Sequence, residues 1–161
     1  MLKISYIKGK CLGNRYLPLI FCACSARSKC RIRCRLILNG TFDKFPKLRM
    51  ILGHCGEYLP FIIDRVDNRF AWIKDDEVKM KHTVAYYFKN KNVVMTTSGI
   101  MSKITFECTK QAFGIDSIIF ASDYPYECLS NMMKFVKTLE LTEEEKEQLF
   151  HLNAEKYILG H

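Results

Sequence analysis

The sequence has little of what marks disordered, fibrous or membrane-spanning chains. Its 161 residues include only 4 prolines and 8 glycines, which excludes collagen-like and linker sequence. No apolar run approaches the roughly 18 to 20 residues that a transmembrane helix needs. Hydrophobic residues make up 48% of the chain and charged residues 26%. We therefore expect a globular domain, or part of a larger one, with a sizeable core and, by default, a cytoplasmic location.

Acidic residues are missing from the first 42 positions, which carry nine lysines and arginines. The rest of the chain has 16 basic and 17 acidic residues, so its folded body is almost neutral. The net charge of +8 therefore belongs to an N-terminal arm. Such an arm can bind nucleic acid or anionic lipid, or act as a targeting segment. Charge asymmetry alone does not favour nucleic-acid binding, and no membrane partner is expected.

The same arm is rich in cysteine. It holds five of the eight cysteines, and their spacing lacks the two C-x2-C pairs of a zinc ribbon: Cys11, Cys22, Cys24, Cys30 and Cys34. We interpret residues 1–34 as a basic, cysteine-rich arm outside the fold of residues 35–161. Cys55, Cys108 and Cys128 are scattered along that fold and are expected to be free thiols.

From residue 35 onward, short apolar runs alternate with helical patterns. Buried strands are predicted at 49–53, 93–97 and 117–121, with helices at 59–73, 83–90, 102–113 and 127–139. Thr142 and Glu145 form the pattern of a capping box, and Asn153 is expected to cap the last helix. Strands that alternate with helices predict an α/β fold with a parallel sheet.

Parallel strands present chemistry at their carboxyl ends, where polar residues follow each apolar run. His54 follows the first run and Asp123 the third, and both residue types bind metals or shuttle protons. Glu57, three residues after His54, is positioned to accept the second imidazole N–H. Spacing alone leaves open a surface histidine and a turn-forming aspartate. Tyr126 and Trp72 are expected in the core by default.

Several motifs together resemble one enzyme family. They are the stretch from Phe42 to Arg69 with GHCGE, the later TTSGI and IIFASDYPYE, and the ending LTEEEKEQLFHLNAEKYIL. In this order they are similar to the amidohydrolase-related metal-dependent decarboxylases, which include the gamma-resorcylate, 2,3-dihydroxybenzoate and aminocarboxymuconate-semialdehyde enzymes. The resemblance implies a partial (β/α)8 barrel, about strands 6–8 with their helices.

The resemblance also implies roles for individual residues. Asp123 would be a metal ligand and the proton donor to the substrate carbon, His54 the catalytic histidine beside the metal, and Glu57 its hydrogen-bond partner. Arg65 matches an arginine that reaches the substrate carboxylate of a neighbouring subunit, which implies a homo-oligomer; an exposed helix cation is the equal alternative. Tyr126 is assigned to substrate binding. The implied reaction is non-oxidative decarboxylation of an aromatic or related carboxylic acid with zinc or manganese.

The chain also departs from the family pattern. A complete barrel takes roughly 250 residues, and the family's Glu-x-His ligand pair occurs nowhere in this sequence. The chain is therefore interpreted as the C-terminal half of the enzyme, with the activity of the half on its own left open. Two alternatives remain: a non-catalytic half-barrel that associates with a related chain, and a hydrolase of the wider amidohydrolase group.

Overall fold

Four short strands form one parallel sheet. The structure, a computed structural model, describes residues 19–21, 36–72 and 79–159. Within them the strands lie side by side in chain order: β1 (Leu19–Phe21), β2 (Met50–Leu52), β3 (Val93–Thr96) and β4 (Ile118–Ile119). All three strand pairs are parallel, so the predicted α/β fold with a parallel sheet is confirmed.

Strand β1 corrects one expectation about the N-terminal arm. The sequence assigns residues 1–34 to an arm outside the fold, yet Ile20 pairs in parallel with Ile51 of β2. The three residues of β1 therefore belong to the sheet. Short apolar runs can pair wherever a sheet edge offers unpaired N–H and C=O groups. The arm's cysteines lie outside the described residues.

Helices connect the strands along most of the described chain. They are α1 (Thr41–Lys44), α2 (Leu59–Phe70), α3 (Val84–Lys89), α4 (Lys103–Phe113), α5 (Leu129–Val136) and α6 (Glu143–Glu147). Helices α3 and α4 lie within one residue of their predicted bounds, whereas α5 is shorter than the predicted 127–139. In the described ranges, no helix is both long and apolar enough to cross a membrane.

Side-chain caps explain where two of these helices begin. The Ser102 hydroxyl accepts a hydrogen bond from the Thr105 N–H at the start of α4. At the start of α6, the Thr142 hydroxyl accepts from the Glu145 N–H while the Glu145 carboxylate accepts from the Thr142 N–H. Both satisfy helix N–H groups that have no partner within the helix. The predicted caps at Ser102 and Thr142 are therefore confirmed.

The sheet is buried on both faces, which is why its strands are continuously apolar. Alternate residues of a strand point to opposite faces. One face packs against the helices in a cluster that includes Met50, Leu52, Val93, Met95, Leu59, Ile63, Tyr87 and Phe88. On the other face Ile51, Val94 and Ile119 pack against Tyr157 from the C-terminal segment. Trp72, expected in the core, is instead 86% exposed at the end of α2, so that expectation is wrong.

Asn153 ties the C-terminal segment to the sheet and does not cap a helix. Its backbone is helical, with φ −66° and ψ −37°, because helical turns run on both sides of it. Its buried amide instead donates hydrogen bonds to the Ile115 and Ile118 carbonyls, at 2.9 and 2.8 Å. The expected cap is therefore wrong. The side chain fixes the C-terminal segment against the start of β4.

The three described cysteines are free thiols, as expected, but their surroundings differ. Cys55 is fully buried, and burial raises its pKa to about 12 against a small opposing effect of a hydrogen bond from Thr109. Cys128 is exposed, and its pKa is lowered, chiefly by hydrogen bonds from the Ser130 hydroxyl and from the backbone of residues 130 and 131. Only a thiolate is an effective nucleophile, so the two thiols differ in reactivity.

We expect Asn153→Ala to lower the free energy of unfolding by about 1–3 kcal/mol, because it removes an amide donor from the buried Ile118 carbonyl and from the partly buried Ile115 carbonyl. Chemical denaturation measures this change. Thr138→Ala, which removes an exposed hydroxyl bonded to the Phe135 carbonyl, is the control and should cost less. Equal losses in the two variants would contradict the role given to Asn153.

Iodoacetamide at pH 7.5 should modify Cys128 well before Cys55. The lowered pKa of Cys128 gives more thiolate, whereas the Cys55 thiol stays protonated until the pH approaches its raised pKa or the chain unfolds. Peptide mass spectrometry over a time course gives both rates. Comparable rates in the folded protein would show that Cys55 is not buried as described.

Candidate active site

The turn that follows β2 has an unusual backbone. His54, Cys55 and Glu57 all have positive φ, at 56°, 52° and 58°. Non-glycine residues avoid this region because the Cβ atom crowds the backbone there. Two further described non-glycine residues share it, Lys91 and Asp123. Four of these five residues therefore lie at the carboxyl ends of β2 and β4, and strain of this kind collects at functional sites.

A hydrogen bond to the end of β3 fixes the His54 ring. Its Nδ1 lies 2.8 Å from the Ser98 carbonyl oxygen. A carbonyl only accepts, so Nδ1 carries the proton and donates it. In the neutral ring Nε2 then keeps its lone pair and is free to accept a proton or to bind a metal. Ser98 is itself buried, and its hydroxyl lies 2.7 Å from the Thr96 hydroxyl.

Asp123 reaches the same place from β4. It has φ 71°, and its carbonyl accepts hydrogen bonds from the N–H groups of Tyr126 and Glu127, at 2.9 and 3.2 Å. This turn leaves the carboxylate directed toward the end of β3. A Cβ atom placed on Gly99 would lie 3.2 Å from Asp123 Oδ2 and 3.4 Å from His54 Nδ1. The imidazole and the carboxylate therefore border one small space above Gly99.

Gly99 is the residue that keeps this space open. It has φ 65°, which L side chains rarely adopt, and any side chain there would press on both His54 and Asp123. The N–H of Ile100 closes the turn by donating to the Thr97 carbonyl at 2.9 Å. The three residues after β3 thus bring the predicted pair together: Thr97, Ser98 and Gly99. The sequence places them at a strand end but assigns them no role.

Glu57 and Tyr126, two other predicted site residues, lie in the turns that carry His54 and Asp123. Glu57 follows His54 in the turn, and its N–H donates to the His54 carbonyl at 2.8 Å. The predicted carboxylate partner for the ring is not what holds Nδ1, because that nitrogen bonds the Ser98 carbonyl. Tyr126 is 61% exposed, so its default core placement is wrong, and it lies in the turn after Asp123. Its contact with substrate stays a prediction.

Arg65 lies apart from the His54–Asp123 pair. It is exposed on α2 and borders a surface depression with five other α2-side residues: Phe61, Asp64, Asn68, Arg69 and Trp72. This depression does not include His54 or Asp123. A contact of Arg65 with a substrate in a neighbouring subunit therefore stays a prediction, as does the homo-oligomer it implies.

Cys55, beside His54, does not act as a nucleophile here. Its thiol is buried and its pKa is raised to about 12, so the thiolate is scarce at neutral pH. Its carbonyl accepts a hydrogen bond from the buried Thr109 hydroxyl of α4 at 3.1 Å. Cys55 therefore anchors the turn that carries His54.

The described residues do not form a complete metal site. Protein metal sites take at least three protein ligands in their common catalytic form. In the part of the chain that the structure describes, no group of three or more His, Cys, Asp or Glu side chains converges. His54 and Asp123 offer two donors, an imidazole nitrogen and a carboxylate. These residues alone do not fit a bound metal, so any metal here needs further ligands.

Two curated proteins with similar sequences are decarboxylases. The gamma-resorcylate decarboxylase of Polaromonas sp. is 35% identical over 122 residues, which are 75% of this chain and 37% of that protein. The decarboxylase orsB of Emericella nidulans is 30% identical over 135 residues. Those 135 residues are 79% of this chain and 39% of that protein. The chain therefore spans under two fifths of the length of each of these two relatives.

A solved structure is similar over most of the chain. The 5-carboxyvanillate decarboxylase LigW of Sphingomonas paucimobilis matches with a TM-score of 0.72 and 30% identity, over 81% of this chain and 39% of that one. The family model described as amidohydrolase matches residues 10–158, which is nearly the whole sequence. The chain therefore belongs to the amidohydrolase family.

Proposed function

We propose that this chain carries the proton-transfer half of the active site of a metal-dependent, non-oxidative decarboxylase that acts on an aromatic carboxylic acid. One observation carries the proposal: His54 and Asp123 border the same space above Gly99, although they come from different strands. The decarboxylase relatives and the solved decarboxylase support the same reaction class.

In this proposal Asp123 supplies the proton. Decarboxylation breaks the bond between the ring carbon and the carboxylate, and the electron pair stays on the ring carbon. That carbon takes one proton from the Asp123 carboxylic acid, and carbon dioxide leaves. The Asp123 carboxylate then recovers a proton from water. A carboxyl group beside the reacting carbon suits this role because proton transfer by a positioned side chain typically contributes 10²–10⁴-fold.

His54 orients the substrate in the same proposal. Its Nδ1–H is held by the Ser98 carbonyl, so Nε2 accepts a hydrogen bond from a ring hydroxyl next to the substrate carboxylate. Gly99 leaves the room in which the ring carbon can approach the Asp123 carboxylate. Arg65 and Tyr126 keep the roles predicted from the resemblance, contact with a substrate carboxylate in a neighbouring subunit and contact with substrate. Glu57, predicted as the hydrogen-bond partner of His54, lies in the same turn, where its N–H bonds the His54 carbonyl.

The proposed setting is part of a (β/α)8 barrel. In such barrels the catalytic residues follow the carboxyl ends of the strands, as His54 and Asp123 do here. A divalent metal would supply charge stabilisation in the proposed enzyme, and a dihydroxybenzoic acid decarboxylase of Polaromonas sp. JS666 was solved with bound manganese. Among the described residues Asp123 would be a ligand of that metal, and the remaining ligands would have to come from outside them. Zinc remains the second proposed metal.

The reaction can be tested by complementation with the missing part of a relative. The chain is mixed with the segment of the Polaromonas decarboxylase that it does not match, with manganese and 2,6-dihydroxybenzoate, and carbon dioxide release is followed. We expect release from the mixture, and a loss of at least about 100-fold with Asp123→Asn or His54→Asn. Glu127→Gln, four residues after Asp123, is the matched control and should keep the rate.

Three outcomes of this assay would contradict the proposal. Release that is unchanged in Asp123→Asn would remove the carboxylate from the chemistry. A mixture that assembles and stays silent with every variant would favour the non-catalytic half-barrel. Hydrolysis of an amide or ester substrate by the mixture, with no carbon dioxide release, would favour the hydrolase alternative.

Filling the space above Gly99 should slow the reaction in the same assay. Gly99→Ala forces a Cβ between His54 and Asp123, so we expect at least about a 10-fold loss of rate. Gly114→Ala is the control, because Gly114 also has a positive φ, 85°, but lies at the opposite end of β4. It should lose stability and keep its rate per folded molecule. Equal rates in the two variants would show that this space is not used.

A further inference from the structure

A side chain from the segment that follows β3 contacts the segment that follows β4. The regular pairing of these strands ends where Thr96 meets Ile119. Beyond it, the N–H of Phe120 turns away and donates to the Leu149 carbonyl at 2.9 Å. The backbone ladder therefore does not extend to residues 121–123. Something other than the ladder must fix Asp123 relative to β3.

Thr97 supplies this link with its hydroxyl. The Thr97 hydroxyl donates to the Ala121 carbonyl at 2.8 Å, and the Ala121 N–H donates back to the same oxygen at 3.0 Å. In these two bonds the Thr97 hydroxyl takes the place of a backbone group that would pair with Ala121 in a regular sheet. Thr97 is fully buried, and Ala121 is partly buried, which limits competition by water for the two bonds.

The link lies two residues from the site on each strand. Gly99 follows Thr97 by two residues, and Asp123 follows Ala121 by two. The two segments then meet again where Asp123 Oδ2 approaches Gly99. Ser98, between Thr97 and Gly99, holds His54 through its carbonyl. One tripeptide thus holds both members of the pair, His54 by its backbone and Asp123 through the Thr97 hydroxyl.

We propose that Thr97 is a positioning residue, whose hydroxyl sets the separation of Asp123 from His54. Thr97 touches neither side chain and acts through Ala121. The inference rests on the proposed function only for the chemical role of the His54–Asp123 pair. The geometry itself is measured without metal or substrate, so a failure of the decarboxylation assay leaves this inference standing.

The test uses the full chain, labelled with carbon-13 at aspartate carboxyls, at one fixed pH. We define the pair coupling as the change in the chemical shift of the Asp123 carboxyl carbon when His54→Ala is introduced. It is measured in the unsubstituted chain and in each Thr97 or control variant. Thr97→Val keeps the shape of the side chain and removes the hydroxyl. We expect it to cut the pair coupling by about half or more and to speed amide exchange at Ala121 by about 10-fold. Thr97→Ser keeps the hydroxyl and should restore both.

Ser117→Ala is the matched control. Ser117 is also fully buried, and its hydroxyl donates to the Phe113 carbonyl at 2.6 Å at the other end of β4. Its loss should lower stability without changing the pair coupling. An unchanged coupling in Thr97→Val, a failure of Thr97→Ser to restore it, or an equal loss in Ser117→Ala would each overturn the proposal.

A measurement on the unsubstituted chain covers the case in which Thr97→Val does not fold. The Thr97 hydroxyl proton, held in a buried hydrogen bond, should be visible in proton spectra and should show a nuclear Overhauser contact with the Ala121 amide. Rapid exchange of that proton with water would overturn the proposal without any variant.

Discussion

The hydrogen bond from His54 Nδ1 to the Ser98 carbonyl is the contact on which the site depends. It joins the turn after β2 to the turn after β3, and it decides which ring nitrogen keeps a lone pair. Without it the imidazole would have no fixed orientation toward Asp123. The same short segment after β3 bonds Ala121 through Thr97 and leaves room at Gly99. The middle strand of the three therefore organises a site whose reactive groups come from its two neighbours.

Most of the strained backbone in the described residues lies where the chemistry is proposed. His54, Cys55, Glu57 and Asp123 each adopt a positive φ, at a cost of order 1 kcal/mol or more per residue. The burial of Cys55 and its bond to Thr109 help to hold that turn. The buried sheet and the Asn153 contacts stabilise the strands on which both turns rest. Rigid strands and strained turns at their ends are how a parallel sheet presents fixed side chains.

Much of this arrangement follows from the sequence, because apolar runs and capping residues act locally. The strands at 49–53, 93–97 and 117–121, the cap at Ser102 and the box at Thr142 needed no tertiary information. The pairing of His54 with Asp123 followed from the rule that parallel strands end at one edge. The hydrogen-bond partner of His54 could not be predicted in this way, because a backbone carbonyl leaves no signal in the sequence. The prediction therefore fell on the nearby Glu57 carboxylate. Asn153 and β1 were misjudged because their partners lie far along the chain, at Ile115, Ile118 and β2.

The central claim is that an imidazole and a carboxylate, 69 positions apart in the chain, face one small space beside Gly99. Nuclear magnetic resonance of the His54 ring tests it most directly. A Cβ on Gly99 would lie 3.7 Å from His54 Cε1, so the account predicts a strong Overhauser contact between the Gly99 α-protons and the His54 Hε1 proton. It also predicts a nitrogen-15 spectrum with the proton on Nδ1. A ring protonated on Nε2 alone, with no contact to Gly99, would contradict it.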